Sequence, residues 1–177
     1  MGQAGRALRI VIAAAWIVVV QAGTAVAAAP ADLEYSVKAN YLVRFAAFVE
    51  WPASAFADSQ TPVSICVLGR DPFGPALDRA ARAQTARGRA LAVHRPATPE
   101  AAAGCHILYL GRGAPQVEAR SGLLVVTDAA VSDRRGMIHF VISDARVRFH
   151  IDLQAASRER LSISSRLLNL ALSVQGG

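Results

Sequence analysis

Lysine is almost missing from this chain. Lys38 is the only one in 177 residues, and arginine carries nearly all of the positive charge. Aromatic residues make up only 6 % of the chain. The basic residues are scattered, with no aromatics interleaved among them, which argues against a nucleic-acid surface. No apolar run beyond the first 27 residues approaches the roughly 20 residues a membrane-spanning helix needs. Cysteine is scarce too, with only Cys66 and Cys105. They lack C-x-x-C spacing, so dithiol-exchange catalysis is not indicated. In an oxidising compartment an even count invites a disulfide, and two buried free thiols are the alternative.

Catalytic and metal-binding patterns are equally thin. Gly69 and Gly74 have P-loop spacing after an apolar run, but Pro75-Ala76 stands where Lys-Ser/Thr is required. Gly111-Arg112-Gly113 begins a dinucleotide fingerprint that fails at Gln116. None of His94, His106, His139 and His150 shows metal-ligand spacing. Cys105 and His106 are neighbours in an extended stretch, so their side chains point to opposite faces. There is no G-x-S-x-G elbow. Asp71, Asp128, Asp133, Asp144 and Asp152 read as capping or turn positions. The expectation is a protein that is not an enzyme, with no cofactor and no metal site.

What is present begins with an export pattern. Arg6 and Arg9 precede the apolar run Ile10 to Val20, followed by small residues at Ala25 and Ala27. That is the layout of a secretory signal peptide covering residues 1–27. A retained anchor is the alternative. Cleavage leaves residues 28–177, a size suited to one domain. It also lowers the formal charge from +6 to +4 by removing Arg6 and Arg9.

Apolar residues at Val37, Tyr41, Leu42, Phe45, Phe48 and Val49 predict a helix over Leu33 to Val49, capped by Asp32 and ended by Pro52. Lys38, Asn40 and Arg44 lie off its stripe. Four apolar runs predict strands: Pro62 to Gly69, Arg89 to Arg95, Cys105 to Gly111 and Gly122 to Asp128. A helix near Asp71 or Pro75 and short helical pieces at "TPEAAAG" and "APQVEAR" separate them. The runs are nearly continuous, which suits a mainly parallel sheet covered on both faces. "GMIHFVISDARVRFHIDL" predicts an antiparallel hairpin pairing Ile142 with Val147, Phe140 with Phe149 and His139 with His150. The two histidines would be exposed on its rim. Asp144-Ala145 is a poor two-residue turn because Ala resists positive φ, so a wider loop is expected. "LSISSRLLNLALSV" predicts a terminal helix with Ser162 as N-cap and a stripe of Ile163, Leu167, Leu170, Ala171 and Val174. The fold class is therefore α/β: a mainly parallel open sheet with flanking helices, a C-terminal antiparallel hairpin and a terminal helix.

Five stretches taken together resemble one known family. They are "VKANYLVRFAAFVEWP", "ICVLGRDPFGPALD", "CHILYLG", "GMIHFVISDARVRFHIDLQAA" and "LSISSRLLNLA", in that order from Tyr35 to Leu172. They are similar to the YfiR family of periplasmic regulators. The resemblance implies an α/β domain that binds the periplasmic region of an inner-membrane diguanylate cyclase, represses it and lowers cyclic di-GMP, which disfavours biofilm formation. It implies a homodimer, and it places Cys66 and Cys105 at the positions of a family cysteine pair. The hairpin lacks the second cysteine pair of some members, and Ala145 stands where the family often has Gly.

Candidate sites follow from both readings. Glu50 and Trp51, where the first helix breaks, and Arg148 and His150 on the polar hairpin face are candidate partner contacts. The alternative function is a periplasmic small-ligand sensor with its site at the carboxyl ends of the strands. There Arg70 and Arg112 could hold an anion.

Overall fold

The computed structural model describes residues 30–176, so the expected signal peptide lies outside the described residues. In chain order the elements are α1 (Pro30–Phe48), β1 (Val49–Glu50), β2 (Val63–Leu68), α2 (Pro75–Arg82), β3 (Thr85–Ala86), β4 (Arg89–His94) and β5 (Ile107–Leu110). They continue with β6 (Leu124–Asp128), β7 (Ile138–Ser143), β8 (Arg146–Asp152), α3 (Leu153–Arg158), β9 (Ser162–Ile163), α4 (Ser165–Leu168) and β10 (Ser173–Gln175). Eight strands form one sheet in the order β10-β8-β7-β6-β5-β2-β4-β3. The block from β4 through β7 is parallel, and β7 turns back antiparallel into β8. This is the expected α/β sheet.

The two faces are covered unequally. Leu42 and Phe45 of α1, Val49 of β1, Leu77 and Ala81 of α2, Ala156 of α3 and Leu167 of α4 all bury into one large core. All four helices thus lie on one side. A smaller core of Cys66, Leu68, Leu108, Leu110 and Leu123 on the other side is roofed by the short 3-10 turn Glu100–Ala102, which is the helical piece expected in "TPEAAAG", and by irregular chain bearing Cys105 and Ala114. The "APQVEAR" stretch, expected to be helical, is irregular and belongs to that roof. β2, β5 and β6 are buried on both faces, as their apolar sequences require, while β4 stays partly exposed, and only one cover is α-helical.

Two termini of elements differ from expectation. Helix α1 starts at Pro30, so Asp32 lies inside its first turn and is not the N-cap. Proline suits that place because the first helical N–H groups have no partner anyway. The predicted terminal helix is only the single turn of α4. Ser162 and Ile163 instead pair with Glu50 and Val49, and β10 adds to the sheet edge parallel to β8. Leu170 and Val174, one helical turn apart, also fit a period of two with Leu172, which would lie on the opposite side of a helix, and the serines at 162, 164 and 165 weaken a helix.

The hairpin register is the one the sequence predicts, from Ile138 opposite Ile151 to Ser143 opposite Arg146. The turn is tighter than expected. Asp144 and Ala145 span it alone, with φ of 51° and 56°. Both residues are left-handed, a type I′ geometry that matches the twist of the strands. Ala in that region costs about 1 kcal/mol, while Gly adopts it freely. Ala145→Gly is therefore expected to stabilise the protein by about 0.5–1 kcal/mol, read as a raised urea midpoint at unchanged slope. A lowered midpoint would refute the strain argument.

Candidate binding groove

The stripe of α1 outruns the sheet it covers. Leu42, Phe45 and Val49 are fully buried, but Leu33 and Val37, two turns and one turn earlier than Tyr41, remain 63 % and 37 % exposed. Facing them, Ile142 and Val147 extend the apolar face of the β7–β8 hairpin past Phe140 and Phe149. Ile142 is 50 % exposed. Leu170, after α4, closes a third side and is 49 % exposed. These residues enclose an open groove of about 860 Å³. Its floor is Tyr41, which packs edge-on against Phe149 at 5.3 Å and tilted against Phe140 at 6.1 Å. Phe45 stacks beneath on Phe140 at 5.7 Å. Glu34, Arg146 and Arg148 also line the groove.

The helix wall of this groove is pinned from behind. Lys38, expected off the stripe, is fully buried. Its Nζ donates to Asp128 Oδ2 at 2.6 Å and to the Glu34 carboxylate one turn earlier, and it lies 4.8 Å from the centre of the Tyr35 ring. Tyr109 donates its hydroxyl to the same Asp128 oxygen at 3.2 Å, and the Ala130 N–H donates to the other at 2.9 Å. Burial alone would lower the Lys38 pKa, but the bonds to Asp128 and Glu34 outweigh it and raise it. Burial, reinforced by the Asp128 charge, pushes the Tyr109 hydroxyl upward. The chain's only lysine thus ties the N-terminal half of α1 to the ends of β5 and β6.

The other candidates lie apart. Arg148 is on the groove rim. Its neighbour on the same strand face, His150, has Nδ1 hydrogen-bonded to Ser173 Oγ at 2.6 Å, while His139 is buried against Thr127 Oγ1 at 2.8 Å. The pair is thus not the exposed rim expected, because β10 and β6 flank it on either side. Glu50 is at the far end of α1, exposed and paired with Arg87 at 2.7 Å. Trp51 is half-buried against Phe56 and His106. Arg70 and Arg112 are exposed, but their backbones bridge, with the Arg70 N–H donating to the Arg112 carbonyl at 3.0 Å. A Cβ at Gly111 would collide with the Arg70 carbonyl, and one at Gly69 would lie 2.8 Å from the Ala114 nitrogen. The loops after β2 and β5, where the small-ligand reading put its arginines, therefore pack backbone to backbone.

Cys66 and Cys105 form a disulfide with Cα atoms 5.9 Å apart. Simple strand pairing would have staggered them. β5 starts only at Ile107, and Cys105 precedes it in a turn closed by its N–H to the Ala102 carbonyl at 3.0 Å. That turn crosses under β2 and brings the two sulfurs together.

Among the described residues no three His, Cys, Asp or Glu side chains gather closely enough to hold a metal, and no helix is long and apolar enough to cross a membrane. The helices cover one side of the sheet and leave an aromatic-floored groove open beside charged side chains. The chain belongs to the YfiR/HmsC-like family, whose model matches residues 35–172. The family is regulatory, not catalytic. Among curated proteins none matches the sequence significantly.

Proposed function

We propose that this protein is a periplasmic regulator that restrains an inner-membrane diguanylate cyclase by binding its periplasmic region, so lowering cyclic di-GMP. The observation that carries this reading is the groove between α1 and the β7–β8 hairpin. Exposed Leu33, Val37, Ile142 and Leu170 converge there, whereas isolated exposed apolar residues would carry no such meaning. Arg146 and Arg148 beside an apolar floor, on a chain of net positive charge, favour an apolar segment that also bears a carboxylate. Binding the inactive sensor more tightly than the active one shifts the sensor toward the inactive state by that difference in affinity. The working unit in this reading is a homodimer, exported by cleavage after residue 27.

The test combines deletion with complementation. Deletion raises cellular cyclic di-GMP, and the wild-type gene restores it. Ile142→Asp and Leu170→Asp place a charge in the groove at half-exposed positions, so each changes stability by within about 0.5 kcal/mol. Each is expected to weaken capture of the membrane partner by about tenfold or more and to fail in complementation. A groove variant that restores cyclic di-GMP fully would sink the assignment of the site. Unchanged cyclic di-GMP on deletion would sink the function.

A further inference from the structure

His106 is held in a way that only its neutral ring permits. Its backbone is fixed in the sheet, with the N–H donating to the Ser64 carbonyl at 2.9 Å and its own carbonyl accepting from Leu124 at 2.8 Å. Its side chain is 5 % exposed. Nδ1 accepts the Ser64 N–H at 3.0 Å, and Nε2 lies 2.9 Å from the Ala55 carbonyl. A ring nitrogen facing an N–H must offer its lone pair, and one facing a carbonyl must carry the proton. The partners therefore assign a single neutral tautomer. A second proton has no place except on Nδ1, where it would meet the Ser64 N–H head-on and remove its acceptor.

The ring also holds down a length of chain. Residues 51–62 run as a strap over the start of β5. Phe56 stacks on His106 with centroids 4.5 Å apart and planes 17° apart, and Trp51 meets the ring edge-on at 6.2 Å. The far end of the strap is held separately. Arg89 lies 4.0 Å over the Phe56 ring and donates to the Asp58 and Thr61 carbonyls, both at 2.8 Å. The charges acting on His106 are Arg120, from the segment before β6, and Arg89, from β4. Both are cationic. Its neighbours from β2 and the strap are the Ser64 N–H, the Ala55 carbonyl and two aromatic rings. Burial, the largest influence, lowers its pKa; the Ala55 bond, next in size, raises it less than burial lowers it, and Arg120 and Arg89 add smaller lowering effects.

We propose that His106 is an acid-operated latch: protonation of its ring breaks the Ser64 bond, swings the imidazole out from under Phe56 and frees the 51–56 end of the strap, while the sheet stays folded. The sign follows from linkage. A histidine whose folded pKa lies below its free value of about 6.5 contributes its full stabilisation above that value and loses it as pH falls. Release exposes Trp51 and Phe56 beside Glu50, at the end of α1 remote from the groove. In the periplasm proposed above, protons exchange with the medium, so the latch would respond to external acid.

Trp51 is the only tryptophan in residues 28–177, so it reports on the latch directly in the mature protein. Acrylamide quenching of Trp51 is followed from pH 7.5 to 5.0 beside far-ultraviolet circular dichroism. The strap-opening equilibrium is expected to rise by up to about 30-fold over this range, the limit for uptake of one proton by a group of free pKa about 6.5. Quenching rises in step with it, and the dichroism does not change. His106→Asn is expected to give a flat profile. If that variant does not fold, ring ¹⁵N shifts of the wild-type mature protein decide instead. His106 must pass from one neutral tautomer to imidazolium in step with the quenching. A flat quenching profile, the same response in His106→Asn, or loss of dichroism in the same step would each overturn the latch.

Discussion

Lys38→Met is expected to lower the stability of the protein by about 3–5 kcal/mol, the usual penalty for removing one partner of a buried ion pair. The size of the loss comes from what remains. Asp128 is 1 % exposed and ends β6 at the centre of the sheet. Without Lys38 its carboxylate keeps only the Tyr109 hydroxyl and the Ala130 N–H, two dipoles against a full charge. Glu34 suffers less, because its side chain is 29 % exposed and can turn to water. The surface pairs offer a contrast. Arg87 and Glu50 are each about half exposed, and such a pair contributes about 0–1 kcal/mol. The double variant Lys38→Met/Asp128→Leu removes both charges and is expected to recover part of the loss, not all of it, because Tyr109 then has no acceptor. Urea unfolding followed by circular dichroism measures both. A single variant within about 1 kcal/mol of wild type would refute the claim that this pair holds α1 to the sheet. Since α1 forms one wall of the groove, the single variant should also weaken partner capture at temperatures where it is still folded.

That cluster shows where a sequence stops being informative. Lys38 and Asp128 are ninety residues apart, and nothing in the spacing of either reveals the other. Asp128 at a strand end looks like a turn residue, and Lys38 off the apolar stripe looks like a solvated one. The single available signal was that an arginine-rich chain keeps one lysine. A compact ammonium on a flexible stem can donate to two carboxylates in a space where a planar guanidinium could not be placed freely.

The strands were legible for the opposite reason. β2, β5 and β6 are buried on both faces, so each is written as a short, nearly continuous apolar run bounded by turn residues, and that length with its β-branched residues marks a strand. The hairpin register was legible because Phe140, Phe149, Ile138 and Ile151 fit together only one way, and a one-residue slip would turn all of them outward. The last fifteen residues were not, since Leu170 and Val174 suit a helical turn as well as a period of two, and only the pairing of Ser173 to Gln175 with β8 decides between them. The groove was hidden in the same manner. Val37 and Tyr41 belong to the same stripe as Phe45, and the stripe does not state that the sheet ends beneath its first turns. Trp51 suggested a contact surface because it follows the helix break. The structure gives it neighbours instead, Phe56 and His106.

The Cys66–Cys105 disulfide should separate stability from recognition. It closes a loop across a sequence separation of 39, for which loop-closure entropy gives about 4 kcal/mol at 25 °C. Cys66→Ala/Cys105→Ala, or reduction of the wild type, is therefore expected to lower the unfolding free energy by roughly that amount. The loss falls on the small core roofed by irregular chain, where no helix would hold Ala102 and Leu123 in place. The groove lies on the other face of the sheet, built on α1 and the hairpin tip, and none of its lining residues touches this roof. At a temperature where the reduced protein is still folded, its affinity for the membrane partner should thus stay within about twofold of the oxidised form, less than 0.5 kcal/mol. Non-reducing mass spectrometry confirms the redox state, and calorimetric melting together with pull-down from inner membranes reads the two effects. Weaker partner binding in the folded, reduced protein would mean that the disulfide acts as a switch on recognition, transmitted through the sheet. A stability loss alone would make it a staple for the one face of this domain that no helix covers.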